Sequence, residues 1–517
     1  MKTVDYKWGS LSVLLSVVLI LIGIWGTANG ETAVGKLHEK NLLNLTLQDC
    51  IDIAFQKSLV RGVSQTSIQI AEAQRNQALS ARWPQLKFSM TAMRWDESPN
   101  FVFPSQPLSL GAAAQPFAEA IAATQLAKLG ITPDSVGLAA YNNYLGAATA
   151  DALNNLDAAK MPEYNVKLMD RDLLSSTLSL IYPLYTGGKI SALTKQAKIG
   201  VEVSREEARR TDLQIVKDVK QYYYGHILAK KIHQLGRDTL ERFEATEALT
   251  ESLYRNGSGR VKKTDYLRTK MITAALRSAI EVMKSGEELS KSALGNAMGL
   301  SWDTPIGLAE TDIPFHPYSA DLSTLVEKAG RTNPQMMQVR LGLQAMEEKI
   351  TEAKAGHLPI VAFIGDYTHL DSSYMGGIMT DENKNSWRIG LSLELPIFNG
   401  FRTKSEVREA RHRLEKLQKE NLLLKEGVAL MVKNAFLQIA RSQGQVISMK
   451  EALDLAVENR ELNVRAYQQE MVETQDVIEA QLMEFVMHGQ YLKALYDFQT
   501  NSGELEFIIG KSICENQ

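Results

Sequence analysis

Polar and apolar side chains alternate strictly from Trp387 to Leu395. Trp387, Ile389, Leu391, Leu393 and Leu395 are apolar, whereas Arg388, Gly390, Ser392 and Glu394 are small or polar. A period of two predicts a strand with one apolar and one wet face. Pro396 ends it, because proline donates no N–H to a ladder. Past Asn399-Gly400 the chain turns charged, alanine-rich and proline-free, so the strand is expected to hand over to a helix.

The same pattern occurs earlier, from Leu174 to Lys189. Setting Pro183 against Pro396 aligns Leu178 with Leu391, Ser179 with Ser392, Leu180 with Leu393 and Gly187 with Gly400 without a gap. In a second register Leu47, Ala54, Ala78, Pro84 and Phe88 match Leu322, Ala329, Ala353, Pro359 and Phe363. A repeat this long is a duplicated half-domain and not a solenoid unit. The predicted first repeat spans 31–304, with strands near 84–95 and 174–183 and a helical hairpin at 188–300. Pro305, Pro314 and Pro317 mark a linker at 305–320. The second repeat, 321–500, has strands near 359–370 and 386–396 and a hairpin at 400–498, followed by a tail at 501–517.

Each repeat begins with helices, Leu45 to Arg82 broken near Lys57 to Val60, and Asp321 to His357 broken at Asn333-Pro334, where proline suits a first helical turn. The stretches 188–254 and 400–467 lack proline, and at 1.5 Å per residue each helix would extend roughly 100 Å. Leu414, Leu417, Asn421, Leu424, Val428, Met431 and Ala435 keep the 3-4 spacing of a coiled-coil seam. The polar turns are Arg255 to Arg260, followed by Thr264-Asp265, and Gln468 to Glu473, followed by Asp476. Segment 96–172 interrupts the first strand pair with two alanine-rich, helical-looking stretches, 117–129 and 138–156; a surface cap and a lid over a pore are both open for it.

Strands of about ten residues with Trp or Tyr near their ends suit an outer-membrane barrel, and an edge-protected soluble sheet is the other reading of the strands alone. Four strands cannot close a barrel. Two chains would give eight strands and a lumen filled by side chains; three would give twelve and leave a passage.

The 517 residues are 44% hydrophobic and 23% charged, and the net charge of −3 offers nothing to nucleic acid. Lys2 and Lys7, the apolar run from Leu11 to Trp25, and Ala28-Asn29-Gly30 predict a secretory signal over 1–30 with a mature start near Glu31; an uncleaved anchor helix is the other reading. No other segment is long and apolar enough for a spanning helix, so membrane insertion would use strands. Cys50 lies on an apolar helical face, where a small core residue is the expectation; a disulfide with Cys514 is the other reading. Asp before Cys50, far past the apolar run, argues against lipidation. His226 and His233 share a helix face without further ligands nearby, and Gly187-Gly188-Lys189 lacks phosphate-loop spacing. No catalytic, cofactor or metal constellation is expected.

The paired helical starts, the strand-Pro-x-x-x-Gly-x-Lys/Arg exits and the two hairpins with Asp-bearing turns resemble the TolC-like outer-membrane efflux family over nearly the whole chain except 96–172. The resemblance implies a mainly α fold with membrane β-strands, three chains building a twelve-stranded barrel and an α-helical periplasmic tunnel. It implies a homotrimer in outer-membrane lipid, a periplasmic adaptor, and an inner-membrane pump of the RND or ABC type. Asp476 and Glu479 fall at the family's periplasmic constriction, where repeated carboxylates favour cations; a helix-dipole role for Asp476 and simple solvation of Glu479 remain the alternative. Thr264, Asp265 and Tyr467 match tip contacts, although Val472 stands where a basic partner is expected. Asn256, Gly257, Gln469 and Glu470 mark adaptor-contact turns, with Glu470 where the family usually has glycine. Arg388, Ser392 and Glu394 would face the barrel lumen. A periplasmic adaptor or coiled-coil structural protein is the alternative from another class; it would show one hairpin, not two.

Overall fold

The computed structural model describes residues 44–107, 114–157, 160–168, 171–257, 259–372 and 384–511. The expected leader and Cys514 lie outside them. The chain divides into two compact units. One gathers the stretch up to Lys57 with Val219–Phe315 and Ser448–Tyr496; the other gathers Ser58–Asp218, His316–Ile447 and the stretch from Asp497.

Both repeats start as predicted, with a short helix broken from a longer one. Helices α1 (Leu47–Lys57) and α2 (Leu59–Ser80) part at Ser58, whose backbone is extended. In the second repeat the pair is Leu322–Thr332 and Pro334–Ala355, parted at Asn333. The Asn333 side chain accepts the Gln335 and Met336 N–H groups at 2.9 and 3.2 Å, a cap worth about 1 kcal/mol. At the N-terminal end of α1, Thr46 and Asp49 form a reciprocal capping box, with Thr46 N–H to Asp49 at 3.1 Å and Asp49 N–H to Thr46 Oγ1 at 3.2 Å. Cys50, on the same helix, is fully buried, which agrees with the core reading; burial pushes its thiol up to about 12.

Four strands, β1 (Gln85–Arg94), the long strand Asp172–Tyr185, Ile360–Ser372 and Asn385–Glu394, form one antiparallel sheet in that order. The two repeats therefore merge into a single sheet, the last strand of the first repeat pairing with the first strand of the second. Each repeat leaves the sheet through two consecutive left-handed residues, Gly187 (φ 61°) and Gly188 (φ 86°), then Gly400 (φ 63°) and Phe401 (φ 64°). Glycine adopts this conformation freely, and a Cβ on Gly187 would also approach Leu358 Cβ to 2.7 Å.

The helical hairpins have matching first arms of 67 residues, Lys189–Arg255 and Arg402–Gln468, and return arms Lys263–Ala297 and Thr474–Ile509. In the Arg402–Gln468 helix the buried line follows Val428, Val432, Ala435, Ile439, Ser442 and Val446, while Met431 is 40% exposed. The seam leaves the expected Met431 because an unsupercoiled helix turns every 3.6 residues, not every 3.5. The last helix also runs through Asn501-Ser502-Gly503, where a break was expected. Its end is anchored on the Asn333 break: Asn333 Nδ2 donates to the Ile508 carbonyl at 2.7 Å and Thr332 Oγ1 to the Ile509 carbonyl at 2.6 Å, with Leu505 and Ile509 fully buried.

The insertion holds the two expected helices, Ala114–Lys128 and Leu138–Asp157. Ala114, Ala118, Ala122 and Leu126 form a buried stripe every four residues on the first of them. Its short ladders were not anticipated: Asn100–Phe103 pairs with Tyr164–Lys167 and Gln106–Pro107 with Lys160–Met161. They prolong the pairing of the first strand hairpin, aided by Trp95 N–H to the Arg171 carbonyl and Leu168 N–H to the Pro99 carbonyl, both 2.9 Å.

Candidate functional site

The pairing register sorts the sheet into two chemically distinct faces. Phe88 lies opposite Leu178, Leu178 opposite Tyr367, and Tyr367 opposite Trp387; one pair on, Leu86, Leu180, Gly365 and Ile389 share the same side. Because side chains alternate along every strand, the other side carries Ser89, Thr177, Thr368 and Ser386, then Lys87, Ser179, Asp366 and Arg388. Thr177 and Thr368 hydroxyls meet at 3.3 Å, and Arg388 Nε lies 2.7 Å from Asp366. Arg388, Ser392 and Glu394 thus share the polar face, with Ser392 opposite Ala362 and Glu394 opposite Ile360.

The apolar face is uncovered. Leu86, Phe88 and Met90 on one edge strand and Trp387, Ile389, Leu391 and Leu393 on the other are all more than half exposed. At roughly 25 cal/mol per Å2 such a continuous surface is costly in water, and soluble monomers rarely show one. Among the described residues, nothing pairs with the outer edges of β1 (Gln85–Arg94) or of Asn385–Glu394, so a row of backbone donors and acceptors stays open on each side.

The hairpin turns belong to the other unit. At the second turn Glu470 takes a left-handed backbone, φ 57°, as Gly257 does in the first at φ 74°. Glu470 N–H donates to the Tyr467 carbonyl and Met471 N–H to the Ala466 carbonyl, both 2.9 Å, the double bond of a Schellman cap. The Arg260 guanidinium donates to the Glu470 carbonyl and joins the two turns. The turn expected of glycine is built here with a glutamate.

Asp476 accepts the Glu473 N–H at 2.9 Å, and Asp265 accepts the Lys262 N–H at the same distance. Each aspartate reaches back over the first turn of its return helix, where a carboxylate also complements the helix dipole. Asp476 and Glu479 are both exposed, and Glu479 accepts the Gln475 side chain at 2.7 Å while Arg268 donates to Gln475 at 3.0 Å. Among the described residues, Tyr467 has no hydrogen bond to Thr264 or Asp265. Its ring is buried, and its hydroxyl lies 2.9 Å from both Thr250 and Thr474; Thr264 is exposed. Asn256 and Gln469 immediately precede the left-handed residues of their turns.

Sequence reasoning missed a buried polar layer behind these turns. Glu484, 6% exposed, receives Arg460 at 2.9 Å and Arg242 at 3.5 Å. Gln481 donates to Thr246 at 2.9 Å, and Thr239, Thr250, Thr269 and Thr273 on the same hairpin are also buried. The threonines' spacing of seven and four in the first arm and four in the return arm was a readable signal of one helix face.

Comparison with known proteins agrees with this architecture. The profile of the family described as outer membrane efflux protein matches residues 138–276 and 325–511, more than half of the chain. The alkaline protease secretion protein AprF of Pseudomonas aeruginosa is 25% identical over 252 residues, 48% of this chain and 51% of that one. The chain spans about half the length of the curated relatives it matches. Among solved structures, CusC superposes with a TM-score of 0.66 at 16% identity, over 91% of this chain and 93% of CusC. The Vibrio cholerae outer membrane protein VceC gives 0.63 at 15%, over 90% and 96%. Likeness at that identity carries the fold, mostly helical with few strands, and the profile carries the relationship: the chain belongs to the outer membrane efflux protein family.

Proposed function

We propose that three copies of this chain join the edge of β1 in one copy to the edge of Asn385–Glu394 in the next, closing a twelve-stranded barrel in the outer membrane. The observation that carries this reading is the four-stranded sheet with an exposed apolar face, an opposite polar face and two open edges. Closure satisfies both edges at once and sets the apolar face against lipid and the polar face around water. The helices then continue as a periplasmic tunnel, and the whole is a passive exit duct for small molecules or secreted proteins. A cleaved signal at 1–30 delivers the chain across the inner membrane. A periplasmic adaptor meets the turns at Asn256, Gly257, Gln469 and Glu470, and an inner-membrane pump of the RND or ABC type supplies the energy. Asp476 and Glu479, repeated about the threefold axis, form an acidic constriction, with Thr264, Asp265 and Tyr467 at the closed tip.

The test is the native mass in detergent together with conductance in planar bilayers. A mass near three chains and discrete cation-preferring channels are expected. Asp476→Asn keeps an acceptor for the Glu473 N–H while removing charge, so with Glu479→Gln it lowers cation preference without loosening the helix start. A detergent-free monomer refutes the barrel; unchanged selectivity in the double variant removes the two carboxylates from the constriction.

A further inference from the structure

Where the Pro334–Ala355 helix (α9 in chain order) ends and the Arg402–Gln468 helix (α10) begins, a groove of about 570 Å3 is lined by Lys354, His357, Lys404, Arg408, Arg411 and His412, and by no carboxylate. Elsewhere on the same stretch of α10 the bases are neutralised: Arg402 pairs with Glu406, Arg413 with Glu409, Lys416 with Glu420 and Lys419 with Glu415. Lys354, Lys404, Arg408 and Arg411 have no ion pair among the described residues, while His412 lies 3.4 Å from Glu415. The first repeat has no equivalent groove chemistry, since Ser191, Lys195, Lys198 and Ile199 stand at the positions of Lys404, Arg408, Arg411 and His412, and Lys195 is held by Glu348 at 2.9 Å.

The groove lies on a definite side of the sheet. A second cleft, about 650 Å3, is lined by Glu394 and Ile360 of the polar face and by Thr403, Glu406, Ala410 and Arg413 of α10. At 3.6 residues per turn, Lys404, Arg408 and Arg411 fall on the opposite side of that helix. They therefore lie on the side of the apolar face, next to the exposed Ile397, Phe398 and Phe401. Phe398 and Phe401 pack edge to face at 5.4 Å, and the Lys404 ammonium sits 5.9 Å from the Phe401 ring. Phe401 holds its left-handed backbone where the first repeat has Gly188, so an aromatic is kept at this rim against its backbone preference.

We propose that this groove binds the phosphate of an anionic phospholipid in the periplasmic leaflet of the outer membrane, with the acyl chains lying along the apolar face. Aromatic residues at the interface and unpaired bases just beyond it are the two elements that headgroup recognition requires. The assignment rests on the barrel reading, which alone places this rim at a bilayer surface.

The test uses the full-length protein in mixed micelles and vesicles. Phosphatidylglycerol is expected to raise the thermal midpoint, while phosphatidylcholine and inorganic phosphate leave it unmoved. The variant Lys404→Gln/Arg408→Gln/Arg411→Gln loses at least about tenfold in phosphatidylglycerol affinity, whereas Arg408→Lys/Arg411→Lys and the off-groove Lys416→Gln retain it. An equal response in wild type and the triple Gln variant overturns the site, and an equal response to inorganic phosphate overturns the lipid as its ligand. Insertion into vesicles without headgroup dependence overturns the site and leaves the barrel standing; failure to insert into any vesicle overturns both.

Discussion

Glu470 is a direct test of how the second hairpin turn is made. A side chain in the left-handed region costs roughly 1–2 kcal/mol because its Cβ crowds the following carbonyl. Glycine avoids that cost but gives back roughly 0.5–1 kcal/mol in unfolded-chain entropy. Glu470, at φ 57°, donates its N–H to Tyr467 and accepts Arg260 through its backbone, so Glu470→Gly keeps both contacts. The net expectation is a gain of about 0.5–1 kcal/mol, or about two- to fivefold slower exchange of the Glu470 and Met471 amides by hydrogen–deuterium exchange. Glu470→Ala leaves the backbone cost in place and gives no such gain, which separates φ from any contact of the carboxylate. The reverse experiment lies in the first turn, where Gly257→Ala at φ 74° is expected to cost about 1 kcal/mol. Faster exchange in Glu470→Gly, or an equal gain in Glu470→Ala, would refute the argument.

Two further outcomes follow from the buried groups. Because burial pushes the Cys50 thiol up to about 12, in a Cys514→Ser background it should resist maleimide at pH 8 in the folded protein and react at the rate of unfolding; by the same linkage stability falls as pH climbs from the ordinary 9.0 towards 12, and ready labelling of Cys50 in that native variant contradicts this. Glu484→Ala leaves the largely buried Arg460 only the more distant, half-exposed Glu461 at 3.6 Å and is expected to cost about 3 kcal/mol, part of which returns in Glu484→Ala/Arg460→Met; a double variant no more stable than the single one, by thermal melting, excludes the under-paired charge as the cause.

What the sequence determined is what depends on neighbours along the chain. Period-two alternation located four strands and sorted Trp387, Ile389 and Leu391 from Arg388 and Ser392, because side-chain direction in a strand is fixed by residue parity alone. Proline marked the second repeat's helix break, proline and glycine marked the strand exits, and the gapless registers made the second repeat a check on the first. Partner choice over long separations was beyond it. Nothing local says that Asp172–Tyr185 pairs with Ile360–Ser372 to fuse the repeats, or that Asn333 captures the Ile508 carbonyl and carries the last helix past Gly503. The buried Glu484 with its two arginines looks in sequence like any solvated helix charge, since burial is a property of the packed helices. Likewise Lys404, Arg408 and Arg411 read as an ordinary charged helix face; only the fold decided that their groove lacks carboxylates and adjoins an apolar rim. Periodicity sets which way a side chain points, and the tertiary structure sets what it meets there.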